Sequence, residues 1–330
     1  MQTSSFEKWP KQTAITEFIL LGFGELQEYH LLLFLVFVVI YILTMSGNIL
    51  IVNLVVFNQN LHTPMYYFLA NLSSLEVFYS STILPKMLII FLTGDRSISV
   101  WGCFTQLFCF GRLVSIECYL LSIMSYDRYV AICKPLYYAT IMNGRVICHL
   151  MVVSWLCAAF ILIVIISLVS QLSFCGPEEI DHFFCDFSPL LQLSCSDTSH
   201  VRLLSLIFGS IDILPPFLIT ITSYVCIIAT VLKIPSVTGR QKAFATYSSH
   251  LIVVTIFYGT LMIVYILPDT SALRNLKKVF SVPYTVLTPM VNPLIYSLRN
   301  KEVKKSLKKA LNKFISKDAK RWDPLLFKRG

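Results

Sequence analysis

Several ionisable side chains lie inside long apolar runs, where a charge is expensive and a functional role is the default expectation. Glu76, Glu117 and Asp212 are three such acids. Two carboxyl groups that lie close together do not both ionise cheaply, so a Glu76–Glu117 pair would hold a proton or a cation. Asp127 and Arg128 are adjacent at the end of another run, and their spacing alone shows only this adjacency. These residue types indicate proton, cation or ion-pair chemistry within a membrane.

Catalytic and metal-binding patterns are otherwise scarce. His182 and Cys185 are three residues apart and could hold a soft metal, although a disulfide at Cys185 would remove that site. The sequence has no nucleophile placed beside a base, no phosphate-binding glycine loop and no zinc-ligand spacing. We therefore expect no enzymatic activity, no cofactor and no resident metal.

The elements that must position these residues are long apolar helices. Of the 330 residues, 56% are hydrophobic and 14% are charged, whereas soluble domains carry about 25% charged residues. A spanning helix needs about 20 mostly apolar residues. Seven runs meet that length: 29–57, 65–91, 100–132, 147–170, 201–232, 243–267 and 279–298. The sequence thus predicts an all-α membrane protein with a seven-transmembrane helix bundle.

The net charge of +9 lies at one end of the chain. Residues 1–298 contain 15 basic and 15 acidic residues, whereas residues 299–330 contain 12 basic and three acidic ones. Basic residues also mark the loops between runs three and four and between runs five and six, which places these loops and the C-terminus in the cytoplasm. We expect an extracellular N-terminus over 1–28, a seven-transmembrane domain over 29–298 and no binding of nucleic acid.

The residues after the last run divide into two parts. Within 299–317, seven lysines alternate with apolar residues at helical spacing, which predicts an amphipathic helix on the anionic lipids of the inner leaflet. Residues 318–330 are predicted to be a disordered cytoplasmic tail.

The ten cysteines agree with this topology. Four of them fall on the predicted outer side, where disulfides persist: Cys103, Cys175, Cys185 and Cys195. Four cysteines allow three pairings, and the residues alone leave all three open.

Five motifs occur in order on the predicted second, third, fifth, sixth and seventh helices. They are LHTPMYYFL at 61–69, MSYDRYVAIC at 124–133, SY at 223–224, KAFATYSSHL at 242–251 and PMVNPLIY at 289–296. Through them the chain resembles the odorant (olfactory) receptors, a branch of the rhodopsin-like (class A) G-protein-coupled receptors, over about residues 17–312.

The resemblance implies a function and a set of partners. Such a receptor binds a small, mostly apolar, volatile odorant and activates a heterotrimeric stimulatory G protein, which raises cyclic AMP. It also implies contacts with arrestin and trafficking chaperones, and a location in the plasma membrane of olfactory cilia. The implied disulfides are Cys103–Cys185 and Cys175–Cys195. The alternatives are a receptor for a non-odour ligand and a transporter or channel.

The resemblance also implies an activation switch in the inner half of the bundle. In it, Asp127 and Arg128 hold the resting state until the sixth helix moves. The alternatives are interfacial snorkelling of Arg128 and a structural hydrogen-bond network that does not switch. The expected switch residues are Glu76, Glu117, Asp127, Arg128, Tyr224, His250, Asn292, Pro293 and Tyr296.

A ligand pocket is expected in the outer half. Helical spacing on the third run places Leu107, Phe110, Gly111, Val114 and Ser115 on one inward strip. The resemblance adds Phe208, Asp212, Tyr258, Met262, Tyr265, Ser281 and Thr285. Ordinary helix packing is the alternative for each residue. For Asp212, the residues alone leave open whether it faces a ligand or bonds to a neighbouring helix.

Overall fold

A computed structural model describes residues 15–24, 26–175, 178–267, 270–299, 302–309 and 312. The side chains of residues 26–27, 239, 241–250, 271 and 296–299 lie outside that description. Six long helices follow one another along the chain: α1 His30–Phe57, α2 Pro64–Thr93, α3 Val100–Cys133, α4 Gly144–Val169, α5 Ser199–Leu232 and α6 Val237–Tyr265. Each of the first six apolar runs therefore forms one helix.

The seventh helix, α7, has three consecutive parts. Ser271–Val282 is α-helical, Pro283–Leu287 is a π-helical turn, and Thr288–Arg299 returns to α-helix. The first part begins eight residues before the predicted run at 279, because it is amphipathic and carries basic residues that an apolar count excludes. A further helix, α8, covers 302–309 within the predicted amphipathic segment.

The architecture is a helical membrane bundle, as predicted. Among the described residues, α1 to α5 are long and apolar enough to cross a bilayer, whereas α6 offers a shorter apolar part, Leu251–Tyr265. The α7 segments are separately short. Five described helices are therefore long and apolar enough to cross a bilayer, and the count of seven crossings remains a prediction.

Helix α3 lies at the centre of the bundle and contacts α2, α4 and α5. Helix α1 packs on α2 and on the last part of α7. Gly47 allows this second approach, because a Cβ atom there would lie 3.2 Å from Cγ of Pro293. The central position of α3 explains why its buried face contributes to both the outer and the inner polar sites.

A small sheet covers the outer end of the bundle. Its strands are β1 Glu17–Leu20, β2 Ser97–Ser99 and β3 Glu179–Ile180, in the order β2-β1-β3. Strand β1 pairs antiparallel with β2 and parallel with β3. Phe18 and Leu20 on β1 are fully buried. The N-terminal segment thus joins the folded body, which the sequence analysis did not predict.

Two disulfides stabilise the loop between α4 and α5. Cys103 is joined to Cys185, which ties the start of α3 to this loop. Cys175 is joined to Cys195 within the loop itself. These are the two pairs that the resemblance implied, and the remaining six cysteines are free.

Candidate functional site

A cavity of about 780 Å³ opens in the outer half of the bundle between α3, α4, α5 and the end of α6. This volume lies within the range of about 300–1,000 Å³ that small-molecule sites occupy. Much of its lining is aliphatic, including Leu162, Leu203, Leu206 and Val264. Seven of the predicted ligand residues line it: Leu107, Phe110, Gly111, Val114, Ser115, Asp212 and Tyr265.

The other five predicted ligand residues do not line this cavity. Tyr258 is buried deeper and donates a hydrogen bond of 2.8 Å to the Cys118 carbonyl. The remaining four are Phe208 on α5, Met262 on α6, and Ser281 and Thr285 on α7. The hydroxyl groups of Ser281 and Thr285 donate to backbone carbonyls of their own helix. Their role as ligand contacts remains a prediction.

Asp212 lies at the floor of the cavity. One of its oxygens accepts a hydrogen bond from Ser115 and the other accepts one from Tyr119. Asp212 therefore both lines the cavity and bonds to a neighbouring helix, the two possibilities left open by the sequence. Tyr119 was not predicted, although its position four residues after Ser115 puts both hydroxyls on one face of α3.

The outer end of the cavity is built from the loop between α4 and α5. Asp186 accepts a hydrogen bond of 3.0 Å from the Tyr265 hydroxyl and one of 2.8 Å from the Phe187 amide. The Cys185 amide donates to Oε1 of Gln106 on α3 at 2.9 Å. Arg202 also lines this end. The loop is thereby held over the cavity by α3 and α6 together.

The structure excludes a soft-metal site at His182, because Cys185 is in a disulfide. Within the described ranges, no group of three or more His, Cys, Asp and Glu residues could hold a metal ion.

His182 is buried against the rings of Phe183 and Phe184, with centroids 4.6 Å away in both cases. Burial, together with the Lys278 ammonium group, lowers the pKa of His182 to about 3. The imidazole is therefore neutral at physiological pH.

Lys278 is a basic residue at the same end of the bundle as the sheet, opposite to the basic loops on which the predicted orientation depends. It forms an ion pair with Asp181 and donates a hydrogen bond of 2.9 Å to the Gly22 carbonyl. The lysine thus links α7 to the loop between α4 and α5 and to the turn after β1. Its contacts explain its place on this side without any change to the predicted orientation.

A second polar group lies deeper, between α1, α2, α3 and α7. The Asn292 amide donates to Oε1 of Glu76, and the Asn48 amide donates to the Pro289 carbonyl at 3.0 Å. Both oxygens of Glu117 are buried and have no hydrogen-bond partner among the described residues. The same holds for the second Glu76 oxygen. Glu76 and Asn292, both expected switch residues, are thus in contact, and the group contains several buried acceptors without a partner among the described residues.

The C-terminal end of α3 carries an ion pair between Asp127 and Arg128, the two residues expected to hold the resting state. Asp127 is fully buried, and its other oxygen accepts a hydrogen bond of 2.8 Å from the Tyr138 hydroxyl. Tyr138 was missed, because nothing in its spacing distinguishes it from the neighbouring Tyr137. Tyr224 on α5 is hydrogen-bonded to Ser125 on α3.

Besides Asn292, three more predicted switch residues lie on α6 and α7: His250, Pro293 and Tyr296. Pro293 is inside α7 next to Gly47 of α1, and its role in a switch remains a prediction. The side chains of His250 and Tyr296 lie outside the described residues.

Comparison with known proteins decides the family. The family model described as olfactory receptor matches residues 37–314 of the chain. The chain belongs to the olfactory receptor family. This olfactory receptor is 49% identical to human olfactory receptor 11A1 over 289 residues, which cover 88% of this chain and 91% of the relative. It is 46% identical to mouse olfactory receptor 5AP2 over 292 residues, which cover 88% of this chain and 92% of the relative.

Membership confirms the resemblance deduced from the five motifs and agrees with the helical architecture. The olfactory receptor is a multi-pass membrane protein, and its family is not enzymatic. A third relative, human olfactory receptor 6B1, is 48% identical over 293 residues, which cover 89% of this chain and 94% of the relative.

Proposed function

We propose that this receptor binds a small, mostly apolar, volatile odorant and activates a stimulatory heterotrimeric G protein, which raises cyclic AMP. The observation that supports the ligand class most directly is the 780 Å³ cavity with its largely aliphatic lining. Apolar walls with a few placed polar groups are typical of small-molecule sites in helical bundles. Membership of the olfactory receptor family supports the same ligand class.

Coupling to a G protein would pass through the centre of the bundle. Helix α3 carries cavity residues such as Val114 in its outer half and the Asp127–Arg128 pair at its inner end. A ligand shifts a two-state equilibrium when it binds one state more tightly than the other. Release of Arg128 from Asp127 would then give the G protein a contact that the resting state withholds.

The Glu76–Glu117–Asn292 group would form the intermediate switch. Its unfilled buried acceptors suit either a shared proton or a bound cation such as sodium, because a buried carboxylate without a partner is costly. Glu76→Gln and Glu117→Gln remove the charge while they keep the shape of each side chain. If basal and odorant-driven cyclic AMP both stay unchanged in these variants, the group is structural and the switch is rejected.

The proposed location is the plasma membrane of olfactory cilia, with the N-terminus outside and the C-terminus in the cytoplasm. Membrane lipids would bind α8, whose Lys304, Lys305 and Lys308 are exposed while Val303 is buried. Each lysine near an anionic surface contributes about 1 kcal/mol. Arrestin and trafficking chaperones are the remaining proposed partners.

The direct test is a cyclic AMP assay of cells that express the receptor, challenged with a panel of volatile compounds. We expect at least one apolar volatile to raise cyclic AMP, and Arg128→Ala to abolish the response at equal surface expression. Ligand-gated current or substrate flux in cells without the G protein would replace this proposal with a channel or a transporter. A response to non-volatile ligands alone would assign a non-odour receptor.

A further inference from the structure

We propose that the ligands of this receptor are small protonated amines, and that Asp212 binds their ammonium group at the floor of the cavity. The inference rests on the proposed ligand-binding role of the cavity and narrows its ligand class. It starts from an acid buried in a largely apolar chamber, with both oxygens held by hydroxyl groups.

The partners of Asp212 position its charge without neutralising it. Ser115 donates to one oxygen and Tyr119 donates to the other, and both donors are uncharged. Such hydrogen bonds favour the ionised carboxylate, whereas burial in the apolar chamber disfavours it. Within the described part of the chain, no Lys, Arg or His nitrogen lies within 4.0 Å of the Asp212 carboxyl oxygens. A buried charge without an opposite charge is costly, and a cationic ligand would remove that cost.

The two ends of the cavity differ in charge. Asp186, Arg202 and Lys277 line the outer end, so both signs are present there. Arg202 and Asp212 are ten residues apart on α5, which is about 15 Å along the helix axis. The floor therefore presents a carboxylate, whereas the outer end is mixed. A small cation is expected to enter with its charged group directed toward the floor.

The chemistry of the ammonium group fits this floor. A primary ammonium has three N–H donors, and each Asp212 oxygen keeps a second lone pair besides the one used by its hydroxyl partner. A charge-assisted hydrogen bond is roughly twice as strong as a neutral one. An alcohol of the same length would make the neutral bond, and a carboxylic acid would bring a second negative charge. The aliphatic walls, among them Val114 and Leu206, would cover the hydrocarbon part.

The experiment measures binding independently of signalling. The full-length receptor in lipid nanodiscs is heated with hexylamine, 1-hexanol or hexanoic acid, three probes with the same carbon chain. We expect hexylamine to raise the unfolding temperature with a half-maximal concentration about tenfold below that of 1-hexanol, and hexanoic acid to be the weakest. Asp212→Asn should remove the preference for the amine while the 1-hexanol shift persists.

One variant that keeps the floor carboxylate serves as the comparison. Asp186→Asn removes the other acid of the cavity and should retain the amine preference. If Asp212→Asn does not fold, the amine preference is compared in wild type and in Asp186→Asn, and this comparison tests the assignment of the ammonium site to Asp212. Equal half-maximal concentrations of amine and alcohol in wild type overturn the proposal. An amine preference that survives Asp212→Asn, or that disappears in Asp186→Asn, also overturns the proposal.

The same probes in the cyclic AMP assay separate this inference from the proposed function. If hexylamine stabilises the receptor through Asp212 but cyclic AMP does not rise, the ligand class stands and the signalling role fails. If 1-hexanol raises cyclic AMP and hexylamine neither binds nor signals, the receptor role stands and the amine site fails.

Discussion

Asp127 holds two partners at once at the inner end of α3. Its buried carboxylate pairs with Arg128 and accepts a hydrogen bond from Tyr138. The negative charge is what retains the arginine, so Asp127→Asn should release Arg128 while it keeps a similar shape. A hydrogen bond to a charged group contributes about 1.5–3 kcal/mol, and we expect basal cyclic AMP to rise several-fold at equal surface expression.

Tyr138→Phe is the matched control for this prediction, because it removes one contact of Asp127 and leaves the ion pair intact. It should raise basal cyclic AMP less than Asp127→Asn does. A basal level in Asp127→Asn that equals wild type would show that the pair does not hold the resting state.

His182 makes a second prediction, which concerns stability and pH. In the folded receptor its pKa is lowered to about 3, against about 6.5 in an unfolded chain. Burial and the Lys278 ammonium group lower this pKa, and the Asp181 carboxylate partly opposes them. Below pH 6.5 the unfolded chain therefore binds a proton that the folded receptor does not. Stability is lost as pH falls from 6.5 toward 3, by about 2 kcal/mol at pH 5.

Unfolding temperatures at pH 7.5 and pH 5.0 check this prediction on the purified receptor. His182→Phe keeps the aromatic contacts with Phe183 and Phe184 and takes up no proton. It should therefore show a smaller loss of unfolding temperature between the two pH values than wild type. An equal loss in both proteins would assign the effect to other groups.

Residue types and spacing predicted part of the candidate site. Helical spacing on the third run assigned Ser115 to the pocket, and the resemblance to the family assigned Asp212. Tyr119 and Tyr138 did not stand out, since tyrosines are frequent in this chain and their partners lie on other segments. Contacts between distant segments depend on the depth and rotation of each helix, which a single sequence does not encode in its spacing.

Strand β1 is the element that ties the N-terminal segment to the bundle. It lies between β2 and β3, and Phe18 on it contacts the ring of Phe174 at a centroid distance of 5.7 Å. Removal of a buried Phe ring costs about 3–5 kcal/mol. Phe18→Ala should therefore lower the unfolding temperature and the surface expression of the receptor.

Glu17→Ala is the control, because Glu17 is exposed on the same strand and makes the same backbone pairing. It should leave the unfolding temperature within about 1 °C of wild type. If Phe18→Ala behaves like Glu17→Ala, β1 does not contribute to the stability of the fold.

The helices were predictable and this strand was not, for one physical reason. A spanning helix satisfies its backbone hydrogen bonds internally, so 20 apolar residues are a sufficient signal. A four-residue strand depends on partners at Ser97–Ser99 and Glu179–Ile180, far along the chain. Helix α7 begins earlier than the predicted apolar run, because Arg274, Lys277 and Lys278 interrupt the apolar residues of its amphipathic first part.

At the scale of the whole molecule, the position of the excess charge predicts the orientation in the membrane. The +9 lies after residue 298, and the last described helix of that region, α8, carries exposed lysines. An epitope tag before Met1 should therefore be detected on intact cells, whereas a tag after Gly330 should require permeabilised cells. Detection of the C-terminal tag on intact cells would reverse the orientation and every assignment of an inner and an outer end.

The central claim is that a ligand in the outer cavity drives the signal. The most direct measurement compares odorant-evoked cyclic AMP in wild type, Val114→Trp and Ile163→Trp at equal surface expression. Val114 lines the cavity, whereas Ile163 on α4 is 57% exposed and has a lipid-facing position. We predict that Val114→Trp fills the cavity and loses the response, while Ile163→Trp keeps it. An undiminished response in Val114→Trp would contradict this account.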